Sequence, residues 1–555
     1  MLAAGLLGAA TASAQAGVPT AAMAAGPVPA AAAAPAPAAA LPTLAELEAA
    51  GAMFGKIRIV NQDIFDTADP REDYRLFRWA NALHIRTRPE VIERILLFKS
   101  GERVSTRLIE ETERLLLGQR YLYDVDFKPT AYRDGVVDLD VVTWDTWSFD
   151  LGIRASRSGG KNSSGLQVRE YNLLGTGMAL SLGRSHGVDR SSNEFEFANE
   201  RTFGSRVSSS YRHSTNSDGR SDAAAIVRPF YALDARWAAG VSAAQYTRID
   251  ARYNAGQVVS QYRHRQDLFE AFGGWSSGLV DGWVQRYSLG LRHEDDAYAL
   301  EPGLVAPAQL PTNEKRVGPF VRYELIEDHS QKEVNRNLIG RPEFFALGLR
   351  STVQLGLASS ALGSSLNALL YAASISRGFV PAPGQTLIAS AQIAGQLADG
   401  QVRRQQLGGQ TQYYLPHGPR WLFYAAASAD VLSHPAVNQD LMLGGDNGLR
   451  GYPLRYQSGT RRLLLTAEQR YYSDLYLWQL FRLGGAAFVD VGRAWGGANT
   501  NAAQPGWLGD LGFGLRIISS RSAFGNALHL DLAFPLSSTP AIQRVQFLVT
   551  SKTSF

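Results

Sequence analysis

The strongest constraint on the fold is the alternation of apolar and polar residues that runs through 147–555. In one of its segments Leu528 and Leu530 lie on one face, and His529 and Asp531 lie on the other. Successive side chains of a strand point to opposite faces, so a period of 2 predicts strands with one apolar face. Segments of about 8–12 residues with this alternation, separated by clusters of Gly, Asn, Asp and Ser, continue for about 400 residues, and helical spacing is absent here.

This alternation is typical of an outer-membrane β-barrel, although a soluble β-sandwich would give the same period. Charged residues make up 19% of the chain, and the mean hydropathy is −0.15. Beyond the N-terminus no run of about 18 apolar residues occurs, which excludes ordinary transmembrane helices. The 54 glycines and the aromatic content of 10% suit tight turns and interfacial aromatic belts. We therefore predict a mainly β fold, with a transmembrane antiparallel β-barrel.

Composition also narrows the chemistry. The chain has no cysteine, which excludes disulfides and thiolate metal sites and suits an oxidising compartment. Its formal net charge of +4 is small for 555 residues, so we expect no nucleic-acid partner. The sequence contains no phosphate loop, dinucleotide fingerprint or zinc motif, and we expect no cofactor and no metal ion.

Four segments are predicted along the chain. Residues 1–14 have the apolar character of a secretory signal peptide, and Ala12-Ser13-Ala14 matches its cleavage site. The basic region of such a signal is missing, so either the true start lies upstream or the segment is only an alanine-rich tail. Residues 15–42 are an Ala/Pro-rich linker that cannot bury enough apolar surface to fold. A small α+β domain over 43–146 precedes the barrel over 147–555.

The α+β domain shows helical spacing followed by strand spacing. Thr43 and Glu46 predict a capping box for a first short helix. A second helix is predicted at 75–83, with its largest apolar residues on one side: Leu76, Trp79 and Leu83. Asp134-Gly135 predicts a hairpin turn between the two strands that end the domain.

Several motifs follow one another in the C-terminal third. A glycine-rich segment, 443–452, ends in Leu449-Arg450-Gly451-Tyr452 and lies between two predicted strands. Glu468 lies in the next strand, Phe488-Val489-Asp490-Val491-Gly492 forms the one after, and the chain ends in Phe555. Strand parity places the valines toward lipid and both carboxylates toward the lumen.

This ordered set resembles the outer-membrane assembly-barrel superfamily, which contains the BamA/TamA-like bacterial surface antigens and the two-partner secretion transporters. In that family an L/V-R-G-Y/F motif lies on a long extracellular loop that folds back into the lumen. The resemblance implies three groups of site residues, namely the loop motif Leu449, Arg450, Gly451 and Tyr452, the lumen partners Glu468, Phe488, Asp490 and Gly492, and the barrel-assembly signal Phe555.

The family resemblance also carries architectural expectations. The Asn172–Gly177 segment resembles a turn near the start of the family's barrels, and the domain over 43–146 resembles a single polypeptide-transport-associated (POTRA) domain. We expect about 16 strands, within the even numbers of bacterial outer-membrane barrels. The sequence offers somewhat more strand candidates, which are either loop hairpins or a sign of a larger barrel. The expected location is the outer membrane of a Gram-negative bacterium, with the N-terminal domain in the periplasm.

The charged residues of the motifs are suited to contact one another. An inward Arg450 is able to make paired hydrogen bonds to Asp490, Glu468 or both. Gly451 and Gly492 would let the loop backbone and the wall approach closely. The alternative is that the three charges are separate, solvated lumen residues.

The resemblance predicts a barrel that inserts or translocates polypeptides. Its expected partners are outer-membrane lipid, polypeptide clients that bind the sheet edge Tyr121–Phe127, and the barrel-assembly machinery. The alternative is a transport pore or a lipid-handling barrel without polypeptide clients. We expect no enzyme: Gly274–Gly278 matches G-x-S-x-G but lies at a strand end, not in a strand–turn–helix. The polar stretches 263–266 and 293–296 indicate charged loops.

Overall fold

The computed structural model describes residues 41–497, 506–519, 521–522, 527–537, 539 and 542–552, apart from the side chains of residues 153 and 154. The predicted signal peptide, the linker up to residue 40 and Phe555 lie outside the described residues.

Residues 43–146 form an α+β domain. Its helices are α1 (Leu44–Ala49), α2 (Arg75–Leu83), α3 (Pro89–Glu93) and α4 (Thr106–Leu117). Its strands are β1 (Met53–Gln62), β2 (Leu122–Arg133) and β3 (Val136–Asp145). The sheet order is β1-β3-β2, with β1 parallel and β2 antiparallel to the central β3. No helix among the described residues is long and apolar enough to cross a membrane.

Local signals in the sequence explain several boundaries of this domain. Thr43 accepts a hydrogen bond from the backbone of Glu46, whose side chain accepts one from the Thr43 backbone, so the predicted capping box is confirmed. Asp134 and Gly135 both have positive φ, at 50° and 77°, as a tight hairpin turn between β2 and β3 requires. The core lies between the helices and the sheet and includes Ile92 and Leu139, both fully buried.

Helix α2 occupies the predicted residues, but its apolar side is not in the core. Leu76, Trp79 and Leu83 are 65%, 68% and 68% exposed. Phe77 is the buried residue of this helix, because its ring stacks on that of Phe65 with centroids 3.9 Å apart. Helical spacing therefore predicted the shared face correctly without showing what that face contacts.

Twenty strands close into one barrel within the part of the chain that the structure describes. They are β4 (Phe149–Ser158), β5 (Lys161–Glu170), β6 (Met178–His186), β7 (Ser191–Asn199), β8 (Ser208–Asn216), β9 (Gly219–Arg228), β10 (Trp237–Asn254), β11 (Gln257–Val280), β12 (Trp283–Ala299), β13 (Glu314–Glu327), β16 (Arg350–Ala358), β17 (Ala368–Phe379), β18 (Thr386–Ala398), β19 (Gln401–Pro416), β20 (Trp421–Ser433), β23 (Arg461–Leu477), β24 (Phe481–Trp495), β25 (Leu508–Ser519), β26 (Ala527–Pro535) and β27 (Gln546–Lys552).

The expectation of about 16 strands is therefore wrong, and the larger-barrel alternative is the correct one. Each of the twenty strands is paired on both edges, so none of them belongs to a free loop hairpin. Two short hairpins lie outside the wall: β14 (Ser330–Val334) with β15 (Pro342–Ala346), and β21 (Leu441–Leu443) with β22 (Gln457–Gly459). An isolated hairpin is marginal in water, and both of these are stabilised by contacts with the barrel.

The predicted faces of the wall are confirmed where the motifs lie. Asp490, Glu468 and His529 are buried inside the barrel, whereas Val489 and Leu465 are exposed on its outer surface. The predicted loops at 263–266 and 293–296 are instead parts of β11 and β12. A transmembrane strand needs about 9–11 residues, so these strands of 24 and 17 residues continue well past the membrane.

The N-terminal domain contacts one end of the barrel, which we call the near end, and the opposite end is the far end. The Asn172–Gly177 turn lies at this contact. Asn172 donates a hydrogen bond to the Thr87 hydroxyl at 2.8 Å, and the amide of Arg88 donates to the carbonyl of Gly175 at 2.9 Å. On α4, the Glu111 carboxylate accepts a hydrogen bond from the amide of Leu233 at 2.7 Å. Hydrogen bonds from two near-end turns thus attach the N-terminal domain to the barrel.

The seam between the first and last barrel strands is the weakest joint of the wall. Within the described residues, β27 and β4 share a single pair, Val549 with Arg157. The neighbouring joints have seven pairs between β26 and β27 and ten between β4 and β5. This seam therefore has much less backbone pairing than the joints on either side of it.

Candidate functional site in the barrel lumen

The far-end loop, residues 434–460, connects β20 to β23 and folds back into the lumen. Its tip forms a cluster with the wall that is almost completely buried, and the loop contributes Leu443, Leu449, Tyr452 and Tyr456 to it. The Tyr452 hydroxyl donates a hydrogen bond to the carbonyl of Gly509 on β25 at 2.9 Å. The loop is thus packed against the inner wall.

Arg450 is the polar centre of this loop. Its Nε and Nη2 donate to the two carboxylate oxygens of Asp490 at 2.7 and 2.9 Å, and its Nη1 donates to Glu468 at 2.8 Å. The guanidinium also lies over the ring of Phe488, 3.4 Å from the centroid. The structure brings together all the charged residues that the motifs singled out, and Asp490 is fully buried.

The two predicted glycines make room for these contacts. A Cβ on Gly451 would lie 2.7 Å from the Cβ of Asp510, and the amide of Gly451 donates to that carboxylate at 3.0 Å. A Cβ on Gly492 would lie 3.0 Å from the side chain of Leu443. Loop and wall therefore meet at distances that a larger residue would increase.

A second element packs against the inner wall at the near end. The near-end hairpin, residues 328–349, connects β13 to β16 and contains β14 and β15. Its Ile339, Phe345 and Leu347 pack against wall residues such as Tyr414 and Tyr472. Its turn is held by Glu343, which accepts hydrogen bonds from the amides of the three residues 336–338. The hairpin thus packs apolar side chains against the wall in the near-end mouth of the barrel.

The far-end loop and the near-end hairpin are joined by one network on β23. Glu468 accepts hydrogen bonds from Arg450 on one oxygen and from Arg470 on the other, the latter at 3.0 Å. Arg470 then donates to the carbonyl of Arg336 in the near-end hairpin at 2.9 Å, and the Tyr472 hydroxyl donates to the same carbonyl at 2.8 Å. Two wall residues, Glu468 and Arg470, therefore connect the far-end loop to the near-end hairpin.

The near-end hairpin also contacts the N-terminal domain. Lys332 pairs with Glu113 of α4 at 2.6 Å, and Arg114 of the same helix donates to Ser330 at 3.1 Å. A displacement of α4 would therefore change contacts of the hairpin directly.

Sequence reasoning missed part of this site. Asp510 and Arg470 were not among the predicted residues, although strand parity with Gly512 and Glu468 places both inward. The near-end hairpin gave no signal that separates it from wall strands. The predicted signal at Phe555 lies outside the described residues. The Gly274–Gly278 segment lies inside β11 at a register shift, and the Ser276 hydroxyl accepts a hydrogen bond from the amide of Gly278 at 3.0 Å.

Comparison with known proteins places these features in a family. The Omp85 superfamily domain matches residues 172–552. Similar solved structures include BamA from Haemophilus ducreyi lacking POTRA domains 1-3, at 11% identity and a TM-score of 0.42, covering 90% of this chain and 84% of that chain. CdiB from Escherichia coli is similar at 12% identity and a TM-score of 0.49, covering 91% and 77%. CdiB from Acinetobacter baumannii is similar at 13% and 0.43, covering 90% and 74%.

These structural similarities are too distant to transfer a function, and the superfamily match is the informative one. None of the curated protein sequences compared with the chain matches it.

Proposed function

Because the chain belongs to the Omp85 superfamily of outer-membrane barrels, we propose that it inserts polypeptides into the outer membrane or translocates them across it. In this proposal the near end opens to the periplasm, and the N-terminal domain acts as a POTRA domain. The far-end loop with its Leu-Arg-Gly-Tyr motif keeps the resting barrel closed until a client arrives.

The observation that carries the proposal is that two segments fold into the lumen, one from each end, and are joined to each other there. A passive pore conducts through a lumen that side chains leave open, as in the porins. In this barrel the far-end loop and the near-end hairpin both occupy the lumen, and they share one network through Glu468 and Arg470. This arrangement supports a gated barrel over the alternative of a transport pore or lipid-handling barrel without clients.

The edge of the N-terminal sheet supports a polypeptide as the cargo. Among the described residues β3 is the one strand that pairs with β2, so the other edge of β2 has no strand beside it. An extended client segment can add to such an edge through main-chain hydrogen bonds, which demand little of its sequence. Pro129 lies in this strand, as expected of an edge, because proline cannot donate to a second ladder.

A disulfide lock of the seam tests the route of the client. Arg157→Cys with Val549→Cys would place two thiols on facing residues, whose Cα atoms lie about 4.5–5.5 Å apart, a separation that a disulfide can span. The matched control, Leu530→Cys with Val549→Cys, places a disulfide in the neighbouring joint. The native chain has no cysteine, so only the intended bond can form.

We expect the oxidised seam lock, but not the control lock, to stop insertion of a client barrel, and reduction to restore it. A client that instead crosses through the lumen would pass the lock and be stopped by a tether between the far-end loop and the wall. Wild-type protein in a planar bilayer should be mostly closed without client. A steady open conductance together with full activity of both locked forms would contradict the proposal and favour the pore.

We propose no catalytic role for the chain. The Gly274–Gly278 segment lies within a strand and lacks the strand–turn–helix that exposes a nucleophilic serine. Ser276→Ala should leave client handling unchanged.

A further inference from the structure

The near-end hairpin contacts two elements of the N-terminal domain. Lys332 of β14 pairs with Glu113 of α4 at 2.6 Å. In the turn of the hairpin, the guanidinium of Arg341 lies 3.5 Å from the carbonyl oxygen of Leu122, the first residue of β2. Because β2 carries the edge on which a client strand is proposed to bind, the hairpin contacts both α4 and the start of the client site.

The turn of the same hairpin, residues 335–341, also contacts the inner wall. The carbonyl of Arg336 accepts hydrogen bonds from Arg470 at 2.9 Å and from the Tyr472 hydroxyl at 2.8 Å. Ile339 is 4% exposed and belongs to the apolar cluster between the hairpin and the wall. A movement of this turn would therefore remove an acceptor from two buried side chains of β23.

Arg470 connects that turn to the site of Arg450. Its side chain is buried, and its guanidinium lies 3.9 Å from the centroid of the Tyr424 ring. Its Nε donates to one oxygen of Glu468 at 3.0 Å, and the other oxygen of Glu468 accepts from Arg450 at 2.8 Å. Ion pairs are strong only while water is kept out, so the pairs of Glu468 depend on the hairpin that covers Arg470.

We propose that the near-end hairpin is a relay that couples the N-terminal domain to the far-end loop. A client strand on β2, or a shift of α4, would lift the turn of the hairpin from the wall. Water would then reach Arg470 and Glu468, and the docking of Arg450 would weaken. The relay rests on the proposed function, since the client supplies the signal, whereas the coupling itself is a property of the protein without a client.

Thiol reactivity of the far-end loop measures this coupling in the purified full-length protein without a client. The chain has no cysteine, and Leu449 is fully buried, so Leu449→Cys reacts with a pyridyl disulfide only when the loop leaves the wall. Ile339→Asp puts a charge into the apolar contact of the hairpin and so lifts its turn. The matched control is Val334→Asp on the same hairpin, where the side chain is 46% exposed.

We expect Ile339→Asp to raise the reaction rate of Leu449→Cys about tenfold, and Val334→Asp to change it by less than about twofold. In an Arg470→Met background, Ile339→Asp should add less than about twofold, because the side chain that carries the coupling is gone. Glu113→Lys, which sets two lysines against each other, should raise the rate about threefold, and adding Lys332→Glu should return it toward the original value. Equal rates with and without Glu113→Lys would overturn the part of the N-terminal domain in the relay.

Thermodynamic linkage requires the same effect in the opposite direction. Leu347 of the hairpin is 2% exposed, so Leu347→Cys reports the release of the hairpin, and Arg450→Ala should raise its reaction rate by about the same factor of ten.

One result would overturn the relay directly. It is an unchanged rate of Leu449→Cys in Ile339→Asp, in a barrel that keeps the electrophoretic mobility of the folded protein and whose Leu347→Cys reacts faster. A tenfold increase that persists with Arg470→Met would overturn the assigned route. These measurements use no client, whereas the seam lock that tests the proposed function does, so the relay and the proposed function can fail separately.

Discussion

Arg450→Ala is the most informative perturbation of the lumen. The substitution removes three hydrogen bonds to two carboxylates, of which Asp490 is fully buried and Glu468 nearly so. It also removes the guanidinium that stacks on Phe488. The consequence is two buried acidic side chains that have lost a shared cation.

The magnitude follows from what each carboxylate retains. Asp490 still accepts a hydrogen bond from the Thr466 hydroxyl at 2.8 Å, and Glu468 still pairs with Arg470 at 3.0 Å. Hydrogen bonds to charged groups contribute about 1.5–3 kcal/mol each, so a full sum would overshoot. Breaking one member of a buried pair costs about 3–5 kcal/mol. We expect loop docking to weaken by about 3 kcal/mol, because water can enter once the loop leaves, and this is roughly a 100-fold change in the docking equilibrium.

Thiol reactivity measures this equilibrium. Leu449, next to Arg450, is fully buried, so Leu449→Cys reacts only when the loop is released. All compared variants carry Leu449→Cys, so the packing that this substitution itself removes is the same in each and cancels in the comparison. The reaction rate with a pyridyl disulfide should rise roughly 100-fold in Arg450→Ala. The matched control is Arg403→Ala, which removes an exposed pair with Asp399 worth about 0–1 kcal/mol.

A double-mutant cycle with Asp490→Asn separates pairing from general damage. The two substitutions together should cost less than their separate effects added, because they remove the same contact. A rate increase below about tenfold in Arg450→Ala, which is about 1.4 kcal/mol, would refute the reasoning, as would strict additivity with Asp490→Asn.

Three further predictions concern the near-end hairpin, the Arg455–Asp189 pair and the N-terminal domain. Replacing the near-end hairpin, 330–346, by a short turn should leave the barrel closed by its far-end loop, and only the combination with Arg450→Ala should give a large steady conductance in a planar bilayer. Arg455 donates two hydrogen bonds to Asp189 in a neighbouring far-end turn and holds the pKa of that carboxyl below its ordinary value of 3.8. The stabilising effect of the Arg455–Asp189 pair is present above about pH 3.9 and is lost as the pH falls through the lower pKa of Asp189 in the folded protein. After correction for thiol ionisation, Leu449→Cys should therefore react at a constant rate from pH 8 to 5 and faster only in stronger acid. When Asp189→Asn is added, Leu449→Cys should react faster throughout that pH range. The fragment 43–146 should unfold cooperatively on its own, as a domain of about 100 residues with its own core does, and a gradual urea transition followed by circular dichroism would contradict this.

The sequence predicted the local geometry of the site well, because strand parity is a local property. Once Asp490 and Glu468 were placed on strands, the period of 2 put both inward, and the Leu-Arg-Gly-Tyr motif supplied the cation between them. The same rule applied to Arg470 and Asp510 would have placed these residues inward too. The functional role of the loop motif remains a prediction.

Non-local properties were beyond the sequence. The number of strands depends on which hairpins find partners on both edges, and no pattern within a hairpin reports that. β14 and β15 have the short alternation of a wall strand, and within the described residues they pair with each other instead of with the wall. His264 was expected in a loop, yet it lies in β11 between the carboxylates of Asp250 and Asp296, at 2.8 and 3.1 Å. Polar residues resemble a loop wherever a strand continues beyond the membrane.

The most direct test of the central claim is site-specific photo-crosslinking at the β2 edge in living cells. A photoreactive residue replaces Lys128, which is exposed on β2, and the matched control replaces Glu93, which is exposed on α3. With a short pulse of labelled amino acids, the proposal predicts adducts to newly made polypeptides at position 128 that disappear during the chase, with few at position 93. Absence of such transient adducts along β2, in a barrel that is folded in the outer membrane, would contradict a polypeptide-handling role.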